Sequence, residues 1–373
     1  MTSALFSPLA IGGLTLANRI AVSPMCQYSA VDGVVGPWHS QHLGSLALSG
    51  AGAVIIEATA VTEEGRITHG CVGLYTDAQE RALAMTIAGI ARFSPAAIGI
   101  QLAHAGRKGS AQSPWQGGKA LGPDEQPWTT VSSSALPHLP GWPAAQALDE
   151  AGMTRVIDGF AQAARRAQRI GLQLAEVHAA HGYLLHQFLS PFSNRREDSY
   201  GGSLENRMRF PLAVARAVRA AWPGDRPLGA RISATDWLDG GWVVEEAIVF
   251  VRALQALGYD YICVSSGGLG TPSIPIAPGY QVPFAARIRR ETGMKVRAVG
   301  LIVEPRQAEA IVAGGEADMV AIGRAMLDDP RWGLHAAAAL GVEPDYPKPY
   351  RLSRPGTWPG FPLAHPAARQ AAE

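Results

Sequence analysis

Short β-branched apolar runs alternate along this chain with longer, alanine-rich amphipathic stretches. A brief apolar run closed by Gly, Pro or Ser reads as a buried strand, and a longer stretch with helical spacing reads as a helix packed on one face. The pattern predicts strands over Ile20–Pro24, Ala53–Thr59, Ala97–Leu102, Leu172–His178, Leu228–Ser233, Tyr261–Ser265, Val296–Val299 and Met319–Ile322. Helices follow them near Trp38–Ser49, Asp77–Phe93, Ala151–Ile170, Leu204–Trp222, Val244–Leu257, Pro283–Glu291, Glu304–Ala313 and Arg331–Leu340. Strand–helix alternation makes the strands parallel, because each helix returns the chain to the edge it left. Eight such units fit a closed (β/α)8 TIM barrel. An open doubly wound sheet would place a GxGxxG turn after the first strand; this chain has Ser23-Pro-Met-Cys26 there.

Three segments fall outside the repeat. Residues 5–17 read as a hairpin able to plug the barrel floor, residues 104–149 as a long loop after strand three, and residues 345–373 as a Pro-rich tail with no core pattern. The predicted division is one barrel domain over 1–344 and a tail over 345–373. Composition agrees: 47% of residues are hydrophobic and 17% charged, against a usual charged share of about 25%. The 42 glycines and 27 prolines are scattered, as turns require. A net charge of +1 gives no electrostatic case for nucleic acid or an anionic membrane. No apolar run is long enough to span a bilayer, and the first residues lack a signal peptide's basic region. Three separated cysteines without a CxxC read as a reduced, cytoplasmic protein with no structural zinc or iron–sulfur cluster.

Barrel active sites form at the C-terminal strand ends. Polar groups gather at nearly every one of these ends: Ser23, Cys26, Gln27, Tyr28; Glu57, Thr59; Gln101, His104, Arg107, Lys108; Glu176, His178, His181, Tyr183; and Arg231. The segment His178-Ala-Ala-His-Gly-Tyr183 admits three readings. With Glu176 it could ligate a metal, as in a metal-dependent TIM-barrel hydrolase. As neutral donors, its imidazoles could grip one carbonyl or phenolate oxygen while Tyr183 donates a proton. The histidines could also simply pack helices. Gly300 and Gly323-Arg324 end strands seven and eight, where such barrels hold phosphate. Arg231 is a cation in need of a partner: a bound anion, an electron-rich ring, or Glu176.

Ser23-Pro-Met-Cys-Gln-Tyr28, Glu57-Ala-Thr-Ala60, Gln101-Leu-Ala-His-Ala-Gly-Arg-Lys108, His178-Ala-Ala-His-Gly-Tyr183 and the stretch Leu189 to Arg207 together resemble the motifs of the Old Yellow Enzyme family, in order from about residue 5 to 340. Cys26 and His181 resemble its bacterial thermophilic-like subgroup of xenobiotic reductases and NADPH dehydrogenases. The resemblance implies a barrel that binds FMN and reduces activated C=C bonds with NADPH. Ser23, Pro24, Met25, Cys26 and Ala60 would line the flavin ring, and Gln101 would bond its pyrimidine edge. Arg231 would sit near N1/O2, and Gly300, Gly323 and Arg324 would hold the phosphate. His178, His181 and Tyr28 would bind the oxygen of an enone, or of a related electrophilic alkene or nitro compound. Tyr183 would protonate Cα. Cys26 would tune the flavin potential. A homodimer or homotetramer is implied, with Tyr350, Arg351 or Trp358 of the tail in place to close a neighbour's pocket. The loop from Gly267 to Tyr280 reads equally as a substrate lid or as a plain βα loop.

Overall fold

A computed structural model describes residues 3–365. Eight parallel strands close into one barrel: β1 (Ile20–Val22), β2 (Ala53–Ala60), β3 (Ala97–Ala103), β4 (Leu174–Ala179), β5 (Leu228–Ser233), β6 (Tyr261–Ser265), β7 (Lys295–Ala298) and β8 (Met319–Ile322). The helices on its outer face are α1 (Pro37–Ala47), α2 (Asp77–Ala91), α3 (Glu150–Arg169), α4 (Leu204–Ala221), α5 (Val244–Ala256), α6 (Val282–Thr292), α7 (Pro305–Ala313) and α8 (Trp332–Ala339). Closure joins β8 to β1, with Ala321 opposite Ala21. The predicted order of elements is the observed one. The first strand stops at Val22, two residues early, because Pro24 has no N–H to give the ladder.

Two apolar layers hold the barrel. Between strands and helices lie side chains such as Val54, Ile56, Leu83, Phe160, Val214 and Phe250. Inside the barrel, Ala21, Ile55, Leu174, Tyr261 and Met319 pack with Leu9, Ile11 and Leu16. The last three belong to an antiparallel hairpin, Leu9–Ile11 with Leu14–Leu16, which therefore sits across the N-terminal mouth. Its Gly13 N–H donates to the Asp225 carbonyl at 3.0 Å, so close that a Cβ at this position would strike that oxygen.

At mid-height the interior is polar. Glu176 on β4 pairs with Arg297 on β7, and both are fully buried. Gln101 Nε2 donates to the second Glu176 oxygen at 2.7 Å, and the Arg297 guanidinium lies 5.2 Å from the Tyr261 ring centre. Room for that ring comes from Gly229, where any Cβ would collide with it. Glu176 thus takes Arg297 and not Arg231 as its cation. Arg297 lies one residue into an apolar run, and the strand pattern drew attention away from it.

The long loop is built from short turns and a two-residue ribbon, Val131–Ser132 with Gln146–Ala147. Ser132 and Ser133 hydroxyls anchor it to Gln187 on the helical turn Leu184–Leu189. The tail has more core than its sequence suggested: Tyr346 and Phe361 are buried, and Tyr350 lies 4.5 Å beneath the Arg331 guanidinium. Its last eight residues, 366–373, lie outside the described part.

Removing one member of a buried ion pair leaves the other charged and unpaired, at a cost of about 3–5 kcal/mol. Arg297→Met should lower the unfolding free energy by about that amount, whereas Glu176→Leu/Arg297→Met should recover much of it. Urea unfolding of both variants measures the difference.

Candidate active site

β4 delivers His178 to the C-terminal mouth and then turns sharply. His181 and Gly182 both have positive φ, +57° and +69°. The turn packs backbone to backbone on Gly268, after β6: a Cβ on either Gly182 or Gly268 would enter the other segment's main chain. Lys108 Nζ ties the two together, donating to the carbonyls of His181 at 2.8 Å and Gly268 at 3.2 Å. Gly182 N–H donates to His186 Nδ1 at 2.9 Å, and His186 Nε2 faces Asp236 at 3.1 Å. The start of the Gly267–Tyr280 loop is therefore fixed against the site.

This turn brings His178, His181 and Tyr183 together. The His178 ring centre is 5.1 Å from that of His181 and 4.9 Å from that of Tyr183, edge to face in both cases. His178 Nδ1 accepts from Ala180 N–H at 3.2 Å, which leaves the proton of the neutral ring on Nε2. That Nε2 is 3.4 Å from His181 Nδ1, and His181 Nε2 is 2.7 Å from the Ser265 hydroxyl. Burial, reinforced by the Arg231 charge, pushes both imidazoles well below their usual range, so both are neutral at pH 7. Burial holds the Tyr183 phenol well above its usual range, and it keeps its proton. The Lys108 ammonium lies 5.0 Å from the Tyr183 ring centre, its pKa brought down to about 8 by burial and by Arg107.

Ser23, Pro24, Met25, Arg231, Gly300, Gly323 and Arg324 line one cavity of about 310 Å³ beside this cluster. Arg231 Nε is buried in it without a hydrogen-bond partner among the described residues. Gly300 has φ +113°, and a Cβ on Gly323 would meet nothing nearer than Met25 Sδ and Ser23 Cβ at 3.8 Å. A cavity with two arginines, glycine backbone and an unsatisfied guanidinium fits an anionic phosphate-bearing cofactor such as FMN. Gln101 turns its amide nitrogen to Glu176. Ala60 ends β2 and lines a narrow crevice with Tyr183 and Cys71. Tyr28, at φ +48°, leans its ring on Trp115 at 5.8 Å. Burial raises the Cys26 thiol, leaving it uncharged.

Residues without an assigned role in the sequence reading also shape the site. Ser265 and Gln281 (hydroxyl to amide oxygen, 3.2 Å) orient His181, and Lys108 and Gly268 fix its turn. The doublets Ser265-Ser266 and Gly267-Gly268 were the available signal. As for the metal reading, both Glu176 oxygens are committed to Gln101 and Arg297, so Glu176 does not join the histidines. No group of three possible ligands is found among the described residues.

Below Cys26, burial raises the Glu57 carboxyl to about 8, while Gln27 N–H donates to it at 3.0 Å. His39 lies 3.6 Å away and is itself lowered by burial, so the pair is uncharged. An unfolded Glu57 would lose its proton near 4.5. Folded protein therefore binds the extra proton between these values, and its stability falls as pH rises through that window, by about 1.4 kcal/mol per unit. The depressed His178 and His181 act oppositely, withdrawing stability as pH falls below about 6.5. Comparing wild type with Glu57→Gln isolates the carboxyl: the variant should be about 3–5 kcal/mol more stable at pH 8, with the gap closing towards pH 5. Urea midpoints at both pH values check this; a gap independent of pH would contradict an uncharged Glu57.

Residues 4–342 match the NADH:flavin oxidoreductase / NADH oxidase family. An NADPH dehydrogenase of Geobacillus thermodenitrificans is 43% identical over 352 residues, covering 94% of this chain and 98% of the relative. The solved structure of morphinone reductase superposes with a TM-score of 0.74 at 28% identity, covering 96% of this chain and 93% of the other. A 2-naphthoyl-CoA reductase complex superposes with a TM-score of 0.81 at 25% identity over 91% of this chain, which spans about half (52%) of that longer protein. With its motifs, barrel and anion-ready cavity, this chain belongs to the NADH:flavin oxidoreductase / NADH oxidase family, the Old Yellow Enzyme family, and is an FMN-dependent NADPH oxidoreductase.

Proposed function

We propose that the chain is an ene-reductase acting on α,β-unsaturated carbonyl compounds and related nitro or xenobiotic electrophiles. The observation that carries this reading is the pair of facing imidazole nitrogens, 3.4 Å apart in a buried site with Tyr183 beside them. Ser265 gives its one hydroxyl proton to the Gln281 amide oxygen, so His181 donates from Nε2 to Ser265 and its Nδ1 accepts from His178 Nε2–H. Turning the Ser265 hydroxyl onto His181 Nε2 as substrate enters would move the His181 proton to Nδ1. In that state both facing nitrogens would carry N–H groups that converge on one substrate oxygen, with Tyr28 a further donor. Negative charge grows on that oxygen as the β-carbon is reduced, so these donors bind the transition state more tightly than the ground state. Neutral donors suit the task, since they hold the oxygen without giving up their protons. Tyr183 donates the proton that the α-carbon needs, and the Lys108 ammonium over its ring stabilises the phenolate left behind.

Bound FMN supplies the hydride, drawn from NADPH and delivered to the β-carbon. Ser23, Pro24, Met25, Cys26 and Ala60 would line its ring, Gln101 would meet its pyrimidine edge and Arg231 its N1/O2 side, and Gly300, Gly323 and Arg324 would hold its phosphate. The unpartnered Arg231 Nε and the open space at Gly323 support this placement. NADPH and alkene would use the same mouth in turn. Residues 1–344 are taken as the catalytic domain and 345–373 as a tail. Its exposed Leu352, Trp358 and Leu363 favour packing against a neighbouring subunit of a cytoplasmic homodimer or homotetramer.

Purified protein should be yellow and bleach with NADPH. Tyr183→Phe should keep that bleaching but lose about 10²–10⁴-fold in turnover of 2-cyclohexenone. Stopped-flow absorbance separates the two half-reactions. Undiminished enone turnover in the variant would remove Tyr183 from its role, and colourless protein that takes up no FMN would defeat the reading as a whole.

A further inference from the structure

The loop between β3 and α3 encloses a second cavity, separate from the one lined by Arg231. It measures about 270 Å³ and is walled by Trp128, Trp142, Leu121 and two prolines. Arg107 is the one charged side chain among its described lining residues. Four arginines of the described chain are deeply buried: Arg66, Arg107, Arg207 and Arg297. Three of them pair with carboxylates: Glu63, Glu246 and Glu176 respectively. Arg107, 3% exposed, forms no ion pair, and its Nε has no partner among the described residues.

Nearby groups add to the imbalance. Burial alone drags the Arg107 pKa down to about 10, with no carboxylate offsetting it. Lys108 is its neighbour in sequence. His138 has a buried Nδ1 without a partner and is pushed down to about 4 by burial and by the charges of Lys108 and Arg107. An unpaired buried cation is costly, and a fold that retains one needs an anion to complete it. The walls specify what kind. A single guanidinium beside two indoles and two prolines suits a carboxylate on an apolar or aromatic body better than a phosphate, which needs several donors to replace its water.

We propose that this cavity is a binding site for a small aromatic or apolar carboxylate, anchored by the Arg107 guanidinium. The site adjoins the catalytic turn through a single residue. The 3-10 turn Gly106–Lys108 sends Arg107 into the cavity and Lys108 to the His181 carbonyl. Gly106 makes this possible, having φ +59° and lying so close to the Gln187 amide that a Cβ would collide with it.

Isothermal titration of the FMN-loaded enzyme with benzoate tests the proposal, with benzyl alcohol and inorganic phosphate as comparison ligands. Benzoate should bind saturably, and Arg107→Gln should weaken it about tenfold or more, the loss of a charge-assisted bond. Benzyl alcohol and phosphate should bind at least about tenfold more weakly than benzoate. A His178→Asn/His181→Asn variant should bind benzoate as wild type does, which separates this cavity from the active site. Ala144→Phe fills the cavity from its exposed rim and carries the test if Arg107→Gln does not fold. The proposal is overturned if benzoate does not saturate, if its affinity survives Arg107→Gln or Ala144→Phe, if it is lost in the double histidine variant, or if phosphate binds as tightly.

Discussion

Everything at the catalytic mouth depends on two stretches of backbone meeting without side chains between them. His181-Gly182 lies directly on Gly268, and Lys108 bridges their carbonyls. This contact joins the end of β4 to the end of β6 over the top of β5. It holds His181 in a left-handed conformation that a non-glycine residue adopts only when its surroundings impose it. From that one conformation follow the approach of the two imidazoles, the exit direction of Tyr183 and the contact of His181 with Ser265. The glycines are required here by proximity as much as by dihedral freedom, because a methyl group on either side would part the two segments.

A second theme is how the site manages charge. His178, His181, Tyr183, Cys26 and Glu57 are all held neutral by desolvation. The cations Arg231 and Lys108 remain, one beside the cavity suited to the cofactor and one above the phenol. A dry site of neutral donors flanked by fixed cations favours negative charge arising during reaction, because little solvent has to reorganise around it. Deeper in the barrel, Glu176 and Arg297 neutralise each other.

The fold was legible because the strands and helices of this barrel are separated by period and by Gly/Pro punctuation, and because eight repeats leave few topologies open. The site was legible in part. His178, His181 and Tyr183 stand close in sequence, so one local motif announced them, and Ser23, Gly300, Gly323 and Arg324 could be placed by their positions at strand ends. Pairings across the barrel were not legible. The partner of Glu176 is set by strand tilt and side-chain reach across the interior, which a linear pattern does not encode. This is why Arg231 was a candidate partner and Arg297 was overlooked. Ser265 and Gly268 were hidden for the same reason, since their importance comes from what a different strand presents to them. Phe361 escaped notice because a single aromatic in a Pro-rich tail has no periodicity to reveal burial.

The hairpin across the N-terminal mouth and the β1–β8 seam have a consequence for how the molecule is made. Residues 3–5 are held by Glu309, Gly13 by Asp225, and Ala21 by Ala321. Residues 3–5 and Ala21 therefore have partners some 300 positions further along the chain, while the partner of Gly13 lies in its middle. Loop closure over such a distance must precede the contacts that reward it. The seam can form only after the chain through β8 has left the ribosome, and the plug is complete only then. Until then β1 and the two short hairpin strands are exposed apolar edges, and the nascent barrel is at its most vulnerable to wrong partners.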